Sequence, residues 1–202
     1  MIAILSGLLA GSLHVLSGPD HLAAVAPLTL RTPRAGSALG ALWGIGHGGG
    51  ILLWLGMATM LRRVSNVELP GAALEALVGV SLLGLGALAL FGEPAHEHDH
   101  AHGARRGRLT ALGMGALHGS AGAGHLFAVL PTLGLSSAGA LQYASGYMLA
   151  GIVAMASVGS LVGRLGERLH DRVRVRRMFG FAVAALGAIW LVEALADLRV
   201  WG

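Results

Sequence analysis

The stretch His14-Val-Leu-Ser-Gly-Pro-Asp-His21-Leu-Ala-Ala-Val-Ala-Pro27 occurs twice, the second time as His118-Gly-Ser-Ala-Gly-Ala-Gly-His125-Leu-Phe-Ala-Val-Leu-Pro131. Both copies read His, six residues, His-Leu, then Pro six positions after the second His. The likeness runs on along the chain. Trp43…Gly46-His47 matches Tyr143…Gly146-Tyr147 at a shift of 100, and Gly79…Gly86 matches Gly180…Gly187 at a shift of 101. Matches in the same order at nearly one shift point to a duplicated unit.

The surrounding composition says what kind of unit this is. Of 202 residues, 54% are hydrophobic, only 12% are charged and 33 are Gly. Soluble domains carry about 25% charged residues, so too few remain here to coat a soluble core. Mean hydropathy is +0.70. Six apolar stretches reach the roughly 20 residues that a spanning helix needs: Ile2–Leu30, Ala35–Leu61, Gly71–Gly92, Leu109–Leu133, Ala138–Val162 and Met178–Leu198. Each copy therefore holds three spans, and an odd number inverts the second copy across the bilayer. The expected fold is an all-α polytopic membrane protein, six transmembrane helices as a 3+3 inverted repeat. Residues 1–92 form the first repeat, 93–108 a His-rich loop and 109–202 the second repeat.

All 14 basic side chains are arginine, and they cluster between spans. Eleven fall in the first, third and fifth connections and three on the other side. Positive charge favours the cytoplasm, which places both termini outside an inner membrane and the His-rich loop inside. The +4 charge does not indicate nucleic acid, because the arginines form short clusters rather than one continuous face.

Ionisable groups at membrane depth are costly, and each is a functional candidate. Here they are His14, Asp20 and His21 on span one, His47 on span two, and His118 and His125 on span four. On an unbroken helix His14 and His21 would stand about 10.5 Å apart along the axis, too far to share one ion. A break removes that obstacle. Gly18-Pro19 supplies it in the first copy, since proline lacks an N–H and clashes with the preceding turn. Gly122-Ala123-Gly124 supplies it in the second. Gly36, Gly40, Gly44 and Gly48 make a strip for close helix packing. The Gly48-Gly49-Gly50 run beside His47 is expected to loosen the helix there.

Imidazole with carboxylate suits borderline divalent ions such as Ni²⁺, Co²⁺ or Zn²⁺. There is no cysteine to offer a thiolate. Two positions break the symmetry of the set: His47 is matched by Tyr147 and Asp20 by Gly124, so the first copy should carry more of the binding. The third connection reads His96-Glu-His98-Asp-His100-Ala-His102, a tract suited to gathering divalent metal.

An enzyme is not expected. An intramembrane serine protease of the rhomboid type needs Gly-x-Ser-Gly on span four and a His on span six. Here the serine lies in Gly119-Ser120-Ala121-Gly122, and span six has no His. The zinc-protease motif His-Glu-x-x-His is also missing.

The first histidine motif together with Trp43-Gly-Ile-Gly-His47-Gly resembles the nickel/cobalt permeases, more closely their short UreH-like branch named for urease accessory proteins. The resemblance covers the first two spans well and the fourth moderately. It implies that His14, Asp20, His21 and His47 bind the ion and that the chain transports Ni²⁺ or Co²⁺, with no prosthetic group. His118 and His125 would lie opposite or along the path. Partners on this reading are the lipid bilayer and the metal ion, with nickel-enzyme accessory proteins or a second copy of the chain also compatible. The alternatives are a membrane accessory protein that delivers metal to a nickel enzyme, or a carrier of another solute such as an oxyanion.

Overall fold

The computed structural model describes residues 1–65, 71–92, 100–121, 130–168 and 171–200. Among these there are seven α-helices and no strand: α1 (Ile2–Ser17), α2 (Pro19–Arg31), α3 (Gly36–Ser65), α4 (Gly71–Phe91), α5 (His100–Ser120), α6 (Ser137–Arg168) and α7 (Arg172–Val200). Short 3-10 turns occupy Pro33–Ala35 and Leu130–Gly134. α5 starts at His100, so the latter part of the stretch expected as loop is helical.

The chain breaks where the proline was expected to break it. α1 ends at Ser17, Gly18 is extended, and Pro19 opens α2 at an angle of 70°. Pro is favoured in the first helical turn, where its missing N–H would have had no partner. The glycine run on α3 behaves differently from expectation. α3 continues unbroken from Gly36 to Ser65, because neighbouring helices clamp its backbone. A Cβ on Gly50 would strike the Ala116 carbonyl of α5, and one on Gly40 the Met155 carbonyl of α6.

Glycine lets the helices touch at their backbones throughout. α1 runs along α6, α3 along both α5 and α6, and α4 along α7, while α2 lies against α3, α6 and α7. From Ala24 to Leu30 every residue of α2 is buried. The core holds Val15, Val25, Trp43, Leu82, Met155 and Val183. The outside is apolar: Leu5, Leu9, Leu13 and Leu16 form an exposed stripe on α1, and Phe181, Ile189 and Val192 stand exposed on α7. Such a surface suits hydrocarbon rather than water.

Two helices among the described residues are long and apolar enough to cross a membrane, Ser137–Arg168 and Val173–Asp197. The bent pair α1–α2 makes a third if taken as one broken span, and Glu75–Phe91 is a shorter apolar helix. The described residues are thus all-helical and membrane-associated, with two or three candidate spans among them where six were expected over the whole chain.

Candidate metal centre

The break at Gly18 builds the site. α1 delivers His14 near its C-terminal end, and α2 begins at once with Asp20 and His21. The bend turns these residues toward the face of α3 that carries His47. One ring nitrogen from each of His14, His21 and His47 lies within 4.8 Å of the others. His14 Nε2 and His47 Nε2 are 3.3 Å apart. Two nitrogens bound to one tetrahedral ion at 2.0–2.1 Å would be separated by about 3.3–3.4 Å, so this pair already stands at the spacing of adjacent ligands.

The environment is dry. His21 and His47 are each 5% exposed, and His14 is half-buried. Asp20 Oδ1 lies 3.1 Å from His21 Nδ1. With the Nδ1–H donating to the carboxylate, the lone pair of His21 falls on Nε2. A carboxylate behind an imidazole in this way fixes the tautomer and strengthens the ring as a ligand. His21 Nε2 and His47 Nδ1 are buried and have no hydrogen-bond partner. A buried polar atom left unsatisfied costs about 1–3 kcal/mol, so the cluster is a poor purely structural device.

Trp43, one turn before His47, is the residue that its motif alone did not identify as part of the site. Its ring stacks on His47 with centroids 5.0 Å apart and planes 11° from parallel, and it meets His21 edge-on at 5.2 Å. Tyr147, the sequence match of His47, stacks on His14 at 5.8 Å. The spacing of four between Trp43 and His47, repeated as Tyr143 and Tyr147, was the available signal.

His118 is brought near but not into the triad. Its ring centroid lies 6.3 Å from that of His21 and 5.6 Å from that of Trp43. His118 Nδ1–H donates to the Met114 carbonyl at 3.2 Å, and Nε2 is buried without a partner. The reason is a slip between two helix crossings. Gly115 of α5 abuts the Trp43 carbonyl, whereas on α1 it is Gly7 that abuts the Tyr143 carbonyl. By sequence the match of Gly115 is Gly11, one turn later than Gly7. His14 therefore sits about 6 Å further past its crossing than His118 does past its own, four residues at 1.5 Å each.

His125 and the Gly122–Gly124 break lie outside the described residues, as do His96 and His98. His100 and His102 fall in the first turn of α5, but their side chains are also outside the described set.

Comparison with known proteins bears on the whole chain rather than on the motif. It is similar to a chloroplast protein. The match is to Chloroplast protein FOR GROWTH AND FERTILITY 2 of Arabidopsis thaliana, 32% identical over 213 residues, covering 98% of this chain and 56% of the relative. Chloroplast protein FOR GROWTH AND FERTILITY 1 of the same plant is 32% identical over 189 residues, covering 83% of this chain and 51% of the relative. The chain spans about half the length of these curated relatives. No family model matches it, and no solved structure matches it significantly.

These relatives correct the resemblance to the nickel/cobalt permeases and their UreH-like branch, and with it the assignment of nickel or cobalt transport. The accessory-protein and oxyanion alternatives gain no support from them. The resemblance rested on two short segments, and it was imperfect there. Five residues separate His14 from Asp20, where the larger permeases have four. A His pair on a proline-broken helix is a local solution to clustering imidazoles, and does not by itself carry a family.

Proposed function

We propose that this chain is a membrane-embedded metal-binding protein, which holds one divalent ion of the zinc class among His14, His21 and His47. Asp20 orients His21, and Trp43 and Tyr147 wall the site with aromatic rings. Binding is the proposal, with neither catalysis nor transport attached to it. The observation that carries it is the convergence of three imidazoles from three helices, with the His14 and His47 nitrogens at ligand spacing. Neutral imidazole is the commonest protein ligand for such ions, and the absence of cysteine leaves nitrogen and oxygen as donors.

We also infer that the helices form the two inverted halves expected from the repeat. The pairing supports this: α1 packs on α6 and α3 on α5, which are exchanged by the repeat, while α4 and α7 pack on each other. Arg34 beside Glu167, and Arg176 on the Gly92 carbonyl, draw the arginine-rich connections to one end. With that end cytoplasmic, both termini lie on the outer side of an inner membrane.

The test uses the full chain purified in detergent and loaded with zinc. About one ion per chain, with X-ray absorption reporting nitrogen neighbours at about 2.0–2.1 Å, supports the reading. Absence of bound zinc, or equal retention by His21→Ala and His47→Ala, overturns it.

A further inference from the structure

The three imidazoles of the metal centre leave two polar neighbours unused. His118 of α5 is 3% exposed, and its Nδ1–H is already engaged by the Met114 carbonyl at 3.2 Å. A neutral imidazole with its proton on Nδ1 carries a lone pair on Nε2. That Nε2 is buried and has no hydrogen-bond partner among the described residues. Trp43 of α3 is fully buried, and its Nε1–H is likewise without a partner there. An indole N–H can only donate. The two rings are neighbours, with centroids 5.6 Å apart. One orphaned acceptor and one orphaned donor thus stand side by side, each costly to leave unmade in a dry interior.

Both rings border the triad. Trp43 contacts His47 and His21, and His118 lies 6.3 Å from His21, centroid to centroid. His118 does not join the group whose nitrogens lie within 4.8 Å of one another. Its bond to Met114 gives Nε2 no purpose, because that bond uses the opposite nitrogen. Three nitrogen ligands leave one corner of a tetrahedral ion, the corner that water fills in zinc sites with three protein ligands. A water on that corner stands about 2 Å from the ion and reaches an acceptor about 2.8 Å further on. An acceptor one row behind the ligands, as His118 is, suits that reach.

We propose that Trp43 and His118 together seat one water as the fourth ligand of the ion, the Trp43 Nε1–H donating to its oxygen and His118 Nε2 accepting a hydrogen bond from it. The seat is selective by sign. Water gives one hydrogen bond and takes another, whereas an anion such as thiocyanate only accepts and would face the lone pair of His118. Displacing an ordered water with a group that cannot repeat its hydrogen bonds loses affinity. The seat rests on the reading of His14, His21 and His47 as a metal centre, and adds to it an exchangeable ligand and the two side chains that select it.

The experiment loads the full chain in detergent with Co²⁺, a spectroscopic stand-in for zinc, and counts bound cobalt in every variant. In water labelled with the magnetic oxygen isotope, the electron paramagnetic resonance lines of the bound cobalt are expected to broaden, and thiocyanate should remove the broadening. Thiocyanate should bind about tenfold more tightly to His118→Leu, the contribution of one hydrogen bond. It should bind His118→Gln as weakly as the wild type, because the amide oxygen accepts in place of Nε2. Trp43→Phe should not tighten it, because Trp43 can donate to either ligand. No broadening in the cobalt-loaded wild type, or an unchanged thiocyanate affinity in His118→Leu, overturns the seat and leaves the metal centre in place. Equal tightening by Trp43→Phe also overturns it, since that would mean added room rather than a lost acceptor. So does loss of cobalt from His118→Leu at unchanged helix content, which would make His118 a ligand. A wild type that takes up no cobalt overturns the metal centre, and the seat with it.

Discussion

His14 Nε2 and His47 Nε2 face each other at 3.3 Å, although they stand 33 positions apart in the chain and the starts of α2 and α3 fall between them. If both rings bind one ion, removal of either should abolish stoichiometric zinc. His47→Ala is expected to lose it, and His118→Ala, one step outside the triad, to keep it. Elemental analysis of the purified variants decides the matter, and zinc loss in His118→Ala alone would move the centre.

Asp20 is expected to act through His21. Asp20→Asn keeps the shape but removes the carboxylate that receives the Nδ1–H. Zinc affinity should weaken about 10–100-fold, the usual range for a partner behind a metal-bound His. A competition titration with a chromophoric chelator measures this, and circular dichroism should show the helices unchanged.

Two glycines close to His47 make opposite predictions, Gly119 packed against its backbone and Gly49 exposed. A Cβ on Gly119 would meet the His47 carbonyl, a backbone atom that cannot swing aside, while one on Gly49 would meet nothing within 4 Å. Gly49→Ala should stabilise the helix by about 0.5–1 kcal/mol. Gly119→Ala gains the same propensity but incurs overpacking of about 1–3 kcal/mol, so it should be net destabilising and also loosen zinc. Unfolding in detergent with and without zinc compares the pair.

Gly18 has an ordinary extended backbone, φ −83° and ψ 105°, so substitution there does not strain the turn. Its constraint comes from side chains, because an added Cβ would collide with His21 Nδ1 and lie 2.9 Å from Asp20 Oδ1. Gly18→Ala should therefore preserve helix content yet lower zinc affinity. Unaltered binding would show that the His21–Asp20 pair is free to move.

What was legible in the sequence is uneven, for physical reasons. The break at Gly18-Pro19 could be read because proline acts locally, through its own ring and missing N–H. The approach of His14, His21 and His47 could be suspected from their depth alone. The slip that leaves His118 aside could not, since register between helices depends on which small residues meet which carbonyls. Trp43 was visible only as a repeat landmark; its stacking on His47 needs the turn-by-turn geometry of α3. The six spans were drawn from hydropathy, and among the described residues two or three meet the length and apolarity of a spanning helix. The permease resemblance failed because it was carried by short motifs, while similarity across 98% of the chain is set by every helix at once.

The crossing of α4 and α7 has one more implication. Gly79 and Gly187 each lie against the other's carbonyl, and Gly86 and Gly180 do the same. Since Gly79 corresponds to Gly180 and Gly86 to Gly187, exchanging the two helices reproduces the same contacts. The two helices thus offer one another the same surface, so a side chain added at any one of the four glycines would meet backbone of the facing helix.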